Sequence, residues 1–572
     1  MRPELAPIRS NEGTAVRVIA ARTTVAAPAA QKGRAVMLAR SAHVDTFCRD
    51  NLPPQAEWPH LDLGHPDVQY PERLNAAAVL LDETVARFGA DRTCLLTDGE
   101  RWTYGDLLER ASQVAHVLTA DLGMLPGQRV LLRGPNNPWL FACWFGVLKA
   151  GGVAVATMPL LRTSELTTLT GLTRPAVLLC DHRFADDLAA AAPITPLLTF
   201  GGPDDNLNRR AAGKPGTFDN VDTAADDVAM LATTSGTTGV PKVTAHFHRD
   251  VLSIADTFSK HLVRPVASDV FTGTPPIAFT FGLGASLVFP LRSGAASLLV
   301  EKATPVELAA AVERHHATVV FTAPTAYRAI LRAGAAGKLA SVRRAVSAGE
   351  HLPEWVWRDF RAATGVRIID GIGSTEMLHI FIAAADDDIR PGATGLPVPG
   401  YRARVVGPDG EPVPDGTAGS LAVVGPTGCR YLADPRQKSY VRGGWNITGD
   451  TYIRDPDGYF WYQGRSDDMI ISAGYNIGAP EVEQALEQHP DVVECAVVGR
   501  PDPERGMIVH AAVVLRDGVA ADAAKIAELQ EHTKALIAPY KYPRSIEFVA
   551  ALPRTSTGKV QRFRVREPLA GR

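Results

Sequence analysis

The chain carries no excess of either charge: 59 lysines and arginines stand against 62 aspartates and glutamates, a formal net charge of −3. Without a basic field nothing argues for a nucleic-acid partner. Without an acidic tail nothing argues for a disordered partner-binding segment. Cysteine is scarce and scattered, at Cys48, Cys94, Cys143, Cys180, Cys429 and Cys495, with no CxxC pair and no histidine at metal-ligand spacing from them. That pattern argues against a disulfide framework or a zinc ribbon and reads as free, mostly buried thiols in a reducing, cytoplasmic compartment. No apolar run spans a membrane. The most hydrophobic stretch, WLFACWFGVLKAGGVAVATMPLL from Trp139 to Leu161, is broken by Lys149 and a glycine pair. It reads as a helix ending near Lys149, a glycine turn and a buried strand. No solenoid-type repeat is present.

What is there is an ordinary globular balance, 46% hydrophobic and 21% charged over 572 residues, too long for one compact core. Residues 1–40 differ from the rest. They are rich in Ala, Arg, Thr and Val, with Glu4 and Glu12 as the only acidic residues, and are expected to be a disordered or mis-annotated extension ahead of Met37. From about Ser41 apolar strand-like runs alternate with amphipathic stretches: RVLLRG, NNPWLFACWFGVLKAG, VAVATM, then AVLLCD, ATVVFTAP and RRAVSAGE. Strands separated by helices imply an α/β fold with parallel sheets covered on both faces. Near Gly395 short β-like runs between turn residues suggest a small antiparallel unit. A hinge is expected at Ser466 to Asp468, since a surface turn accepts Ser-Asp-Asp more readily than a helix or strand does. The expected division is a large domain over 41–466 and a smaller α+β domain over 467–572.

The chemistry concentrates in TTSGTTGVPK, from Thr233 to Lys242. Thr234, Ser235, Thr237 and Thr238 offer hydroxyls, Gly236 and Gly239 let backbone N–H groups approach an anion, and Lys242 adds a fixed positive charge. The loop follows the strand-like DVAMLA and has the parts needed to hold a polyphosphate. It is not a Walker A loop, because Pro241 precedes the lysine and Val243 follows it. GLGASL, from Gly282 to Leu287, is not a dinucleotide fingerprint, because Leu287 replaces the final glycine.

This loop resembles the phosphate-binding signature of the superfamily that contains the acyl- and aryl-CoA synthetases, firefly luciferase and peptide-synthetase adenylation domains. SAGEHLP, DGIGSTEM, TGD, GRSDDMI and PRTSTGKVQR follow in the family's order. The resemblance implies an adenylate-forming enzyme whose smaller C-terminal domain is mobile, using ATP, Mg²⁺ and coenzyme A. A carboxylate attacks the α-phosphorus of ATP, and a thiol then attacks the acyl carbon. Neither step needs a nucleophilic side chain, so the lack of a Ser-His-Asp arrangement is no obstacle.

By the same resemblance Glu376 holds Mg²⁺ and Thr375 binds phosphate and the substrate carboxylate. Asp450 accepts the ribose hydroxyls, with Arg465 beside it. Ser347, Ala348, Gly349 and Glu350 with Asp370, Gly371, Ile372 and Gly373 form the adenine wall, where Ile372 stands in place of a frequent aromatic. Lys559 is the catalytic lysine of the adenylation step. Rotation about Asp467 exchanges it for the loop Ala473-Gly474-Tyr475, which lines the CoA tunnel.

DGIGSTEMLHIFI, PPIAFTFGLGASLVFPL and the opening HVDTFCRDNLPP are most similar to benzoate- and 2-aminobenzoate-CoA ligases. The acyl pocket implied is Phe279, Thr280, Phe281, Gly282, His379 and Ile380. The phenylalanines supply flat walls for a ring, and Thr280 and His379 can hydrogen-bond a ring amino or hydroxyl group. Thr280-Phe281 replaces an alanine–tyrosine pair frequent in benzoate ligases, which favours a substituted benzoate. The alternative acceptor is the phosphopantetheine of an acyl carrier protein acting in trans, since no carrier domain is attached. The resemblance suggests a monomer or homodimer.

Overall fold

The computed structural model describes residues 38–202, 206–234, 241–301, 304–465, 468, 470–472, 475–502, 505–537, 539–554 and 560–567. Six strands form one sheet in the order Leu197–Phe200, Val177–Asp181, Arg129–Arg133, Val153–Thr157, Val228–Thr234 and Lys242–Phe247. All neighbours run parallel except the last pair. The strands Arg129–Arg133, Val153–Thr157 and Val177–Asp181 are buried at every position, as expected of parallel strands covered on both faces.

The helix Pro138–Lys149 starts where Asn137 accepts a hydrogen bond from the Leu140 N–H at 3.0 Å and proline occupies the first turn. It ends at a turn in which Gly151 takes φ +69° and a Cβ would lie 2.8 Å from Val221. The chain then enters Val153–Thr157. The apolar stretch from Trp139 is therefore helix, glycine turn and buried strand. Among the described residues no helix is long and apolar enough to cross a membrane.

A second sheet has nine strands. Its centre runs parallel through Ile368–Gly373, Arg344–Ser347, Val319–Thr322, Val270–Gly273, Ala296–Leu298 and Thr93–Leu96. Ile380–Ala383 and Leu396–Pro397 extend one edge antiparallel. The change of texture near Gly395 thus begins inside this sheet. Gly395 takes φ +133° where a Cβ would lie 2.3 Å from the Ala383 carbonyl carbon, so only glycine lets the chain turn there. The antiparallel unit itself comprises Arg402–Val406, Ala418–Val424, Val441–Arg442, Trp445–Arg454 and Phe460–Arg465.

The last segment forms its own sheet. Val492–Asp502 and Gly506–Leu515 make a long antiparallel pair, Ser545–Phe548 adds parallel to the second of them, and Ala479–Glu487 packs as a helix on Val492–Asp502. All six cysteines are buried and free. Burial pushes the Cys48 and Cys180 thiols up to about 12, so neither offers a thiolate near neutral pH.

Candidate active site

The strand Val228–Thr234 and the returning strand Lys242–Phe247 pair antiparallel, with Thr234 opposite Lys242. The two strands that flank the phosphate loop in the chain thus pair with each other at the sheet edge. Ser235, Gly236, Thr237, Thr238 and Gly239 lie outside the described residues, as do Asp467, Ala473, Gly474 and Lys559. Tyr475 begins the strand Tyr475–Ile477 with its backbone opposite Ser472.

Lys242 leads to a residue that no motif marked. The segment at 430–432 runs beside Lys242–Phe247: the Ala245 N–H donates to the Arg430 carbonyl at 2.9 Å, the Leu432 N–H donates to the Val243 carbonyl at 2.8 Å, and Tyr431 bridges Thr244. This register brings the Tyr431 hydroxyl to Lys242, whose ammonium donates to it at 3.1 Å and sits 4.9 Å above its ring. The same hydroxyl donates to Glu376 Oε1. Burial, and then the Glu376 charge, push the phenol far above its ordinary value, so it stays a donor. Lysine, tyrosine and glutamate from three separated stretches thus form one hydrogen-bonded chain. The other Glu376 oxygen has no partner among the described residues.

Beneath this chain Arg430 and Asp250 form a fully buried pair at 2.8 Å, with the guanidinium 4.0 Å over Phe247. His246 donates from Nε2 to the Thr375 carbonyl at 2.9 Å. Burial lowers its pKa to about 4, so the ring is neutral near pH 7 and holds Thr375 without adding charge. Ser374 Oγ lies 3.2 Å from the Tyr440 hydroxyl and accepts from the Met377 N–H at 3.2 Å, which tightens the turn carrying Thr375 and Glu376.

The ribose pair lies on neighbouring strands. Asp450 faces Arg465 across the Trp445–Arg454 and Phe460–Arg465 pairing, and Arg465 Nη1 donates to Asp450 Oδ1 at 3.2 Å. Gly449 is required at φ +79°, where a Cβ would lie 3.0 Å from Arg465 Nη2. Ser347, the last residue of Arg344–Ser347, lies in register with Asp370 in the middle of the parallel strand Ile368–Gly373. Gly349 follows at φ +90°. Ala348 is buried, Glu350 partly exposed, and Ile372 packs against the main core. Burial pushes the Asp370 carboxyl up to about 8, against the Ser347 hydroxyl and the Gly371 N–H. A second unmarked contact joins the two walls: His351 stacks on Tyr462 with centroids 5.6 Å apart.

The acyl candidates converge. Phe279 caps the helix Thr280–Leu283. Gly282 lies so close to the Pro276 carbonyl that a Cβ would stand 2.2 Å from its oxygen. The His379 ring is 2% exposed and is surrounded by Phe289 at 4.7 Å, Phe258 at 5.2 Å and Phe281 at 5.7 Å between centroids. Neither ring nitrogen makes a hydrogen bond of good geometry among the described residues. Burial lowers its pKa to about 3, with only a weak opposing pull from the Phe281 backbone. Gly284 makes room for the ring, since a Cβ there would lie 2.5 Å from His379 Cδ2. Ile380, also buried, packs on Gly371. His379 stands three residues past Glu376, so this cluster of packed aromatic rings follows closely in the chain on the end of the Lys242–Tyr431–Glu376 hydrogen-bonded chain.

Residues 81–431 match the AMP-binding enzyme family, and residues 481–559 match the AMP-binding enzyme C-terminal domain. The chain belongs to the AMP-binding enzyme family. It is 36% identical to a benzoate–CoA ligase of Thauera aromatica over 88% of this chain and 97% of that protein. It is 32% identical to a 3-hydroxybenzoate–CoA ligase of Aromatoleum sp. (strain CIB) over 87% of this chain and 98% of that protein. Among solved structures, an anthranilate CoA ligase in complex with anthranoyl-AMP superposes with a TM-score of 0.83 at 34% identity, covering 87% of this chain and 98% of that one. The AMP-binding fold, with its parallel α/β sheets, small β unit and C-terminal domain, is thus the one its motifs implied.

Proposed function

We propose that this protein activates an aryl carboxylic acid of the benzoate type, 2-aminobenzoate or a hydroxybenzoate, as an aryl-AMP, and transfers the aryl group to coenzyme A. In the first step a carboxylate oxygen bonds to the α-phosphorus and pyrophosphate leaves. In the second the CoA sulfur bonds to the acyl carbon and AMP leaves. The observation that carries the reading is the cluster of aromatic rings around His379, three residues along the chain from Glu376. Phenylalanine rings offer flat apolar faces that suit an aromatic ring better than a long alkyl chain. A neutral, buried imidazole with unused nitrogens suits a ring substituent that donates or accepts one hydrogen bond.

The donor set at Glu376 suits Mg²⁺, with one carboxylate oxygen oriented by Tyr431 and the other open. When bound there, Mg²⁺ would offset the charge of the phosphate oxygens. The chain's own groups do the remainder. Lys242 and the hydroxyls and N–H groups of 234–239 grip the phosphates, and Thr375, held through its carbonyl by His246, positions the carboxylate. Asp450 accepts from the ribose, Ser347 to Glu350 and Asp370 to Gly373 flank the base, and Lys559 donates to the oxygens that gain charge. The segment after Asp467 supplies Lys559 for the first step and the loop at Ala473, Gly474 and Tyr475 for the second.

The test is a mixed incubation of the purified protein with ATP, Mg²⁺, CoA and benzoate, 2-aminobenzoate, salicylate, other hydroxybenzoates, cinnamate and octanoate, read by mass spectrometry. Aryl-CoA from one or two substituted benzoates is expected. Aryl-AMP accumulating without aryl-CoA would move the acceptor to a carrier protein, and no adenylate from any aryl acid would overturn the assignment.

A further inference from the structure

Apart from the nucleotide and acyl sites, two histidines and an aspartate from distant parts of the chain meet at one point. His65 and Asp67 flank Pro66 at the turn Pro66–Val68, and His261 lies in the π-helical stretch Ala255–Val263. Their ligand atoms lie within 4.8 Å of one another. Asp67 Oδ2 stands 2.8 Å from His261 Nε2 and 4.0 Å from His65 Nδ1, and the two imidazoles meet edge to face with centroids 5.6 Å apart. The three side chains are 25%, 21% and 30% exposed, reachable by solvent yet held by the surrounding structure.

We propose that His65, Asp67 and His261 form a binding site for a divalent transition metal ion such as Zn²⁺. Two imidazole nitrogens and one carboxylate oxygen form a mixed N/O donor set that imidazole-binding metals favour and Mg²⁺ does not. A tetrahedral ion needs donor separations of about 3.3 Å. The observed 2.8 and 4.0 Å bracket that value; His65 Nδ1 accepts from the Asp67 N–H at 3.3 Å and gives up that contact as the ring turns to the ion, with an open position left for water. Asp67 divides its two oxygens: Oδ1 accepts from Lys260 at 2.5 Å, and Oδ2 faces the histidines. The ion would take the position of the hydrogen now between His261 and Oδ2, with His261 binding it through an unprotonated Nε2 and keeping its N–H on Nδ1.

Position gives the site a consequence. The stretch that carries His261 also carries Phe258, whose ring packs 5.2 Å from that of His379, a proposed acyl-binding residue. The ion would tie this stretch to the Pro66–Val68 turn and so brace the packing of Phe258 on His379. The competing reading is an ordinary ion-pair network in which Lys260 already supplies the positive charge. The two readings differ on Lys260: if a metal binds, the ammonium repels it, and Lys260→Met tightens binding.

The experiment is a titration of the tag-free, full-length protein with Zn²⁺ against a chromophoric chelator, without ATP. One equivalent is expected in the native protein and in His489→Ala, which removes a histidine from the other group of ligand-type side chains, His489, Asp491 and Glu528. Affinity weakens by about tenfold or more in His65→Ala and in His261→Ala and strengthens in Lys260→Met. Electron paramagnetic resonance of the native protein loaded with one equivalent of Cu²⁺ needs no variant and should show coupling to two imidazole nitrogens. No stoichiometric Zn²⁺ binding, equal affinity in the histidine variants, or a Cu²⁺ spectrum without two nitrogens would overturn the site in favour of the ion-pair network.

Discussion

Replacing Tyr431 by phenylalanine isolates one hydroxyl in the hydrogen-bonded chain from Lys242 to Glu376. That hydroxyl accepts from the Lys242 ammonium at 3.1 Å and donates to the Glu376 carboxylate. Phenylalanine keeps the ring, its position beneath Lys242 and its edge contact with Tyr440 at 5.7 Å, so the fold should persist. What is lost is a neutral spacer that holds a lysine and a carboxylate apart in fixed orientations. Glu376 is only 8% exposed, so water replaces the missing donor poorly. A hydrogen bond to a charged group contributes about 1.5–3 kcal/mol. At about 1.4 kcal/mol per factor of ten, kcat/KM for adenylation should fall about 10- to 150-fold. The assay is continuous pyrophosphate release at varied Mg·ATP, paired with CoA capture from supplied aryl-AMP, a step that does not use the phosphate grip. Adenylation should fall and CoA capture should stay within about twofold. Adenylation at the native rate, or an equal loss in both steps, would refute the role given to this hydroxyl.

Other outcomes follow from the same geometry. His379→Phe removes the hydrogen-bonding ring but keeps the cavity wall, and should cut the preference for substituted over unsubstituted benzoate by about 3- to 10-fold in competition assays. Gly284→Ala places a methyl 2.5 Å from His379 Cδ2; it should raise KM for the acid while leaving KM for ATP unchanged in steady-state kinetics. His246, His248 and His379 are buried with pKa values lowered to about 4, 3 and 3. The unfolded chain therefore binds protons at these residues that the folded chain does not. The stability they contribute is full above about pH 6.5 and is lost as the pH falls toward 4, by up to about 1.4 kcal/mol per pH unit for each histidine. Thermal melts from pH 7 to 4.5 should show that decline, with a shallower slope in His379→Phe; equal slopes would contradict the burial argument for His379.

The parallel sheets were legible because their strands are short apolar runs between helices, and burial at every position of Arg129–Arg133 and Val153–Thr157 is the physical form of that pattern. The phosphate loop was legible because hydroxyls, glycines and a lysine crowd into ten residues. Tyr431 was not. Its contacts with Lys242 and Glu376 are set by the register of the 430–432 segment against a strand about 190 positions earlier, and no local spacing encodes that. The stack of His351 on Tyr462 was hidden for the same reason. His379 was visible as a candidate, but its neutral state was not: that follows from three rings contributed by Phe258, Phe281 and Phe289. That the edge strand Leu396–Pro397 pairs with Ile380–Ala383 was not legible, because only the crowding of Gly395 against Ala383 reveals which neighbour it takes.

The central claim is that the acyl-binding residues Phe279 to Gly282, His379 and Ile380 take an aromatic acid. Its most direct test is the ratio of kcat/KM for the better of 2-aminobenzoate and the hydroxybenzoates to that for octanoate, measured on the native protein with saturating ATP, Mg²⁺ and CoA. Three ring walls and an unpartnered imidazole predict a ratio above about 100. A ratio near or below one would contradict the aryl assignment while leaving membership of the AMP-binding enzyme family intact.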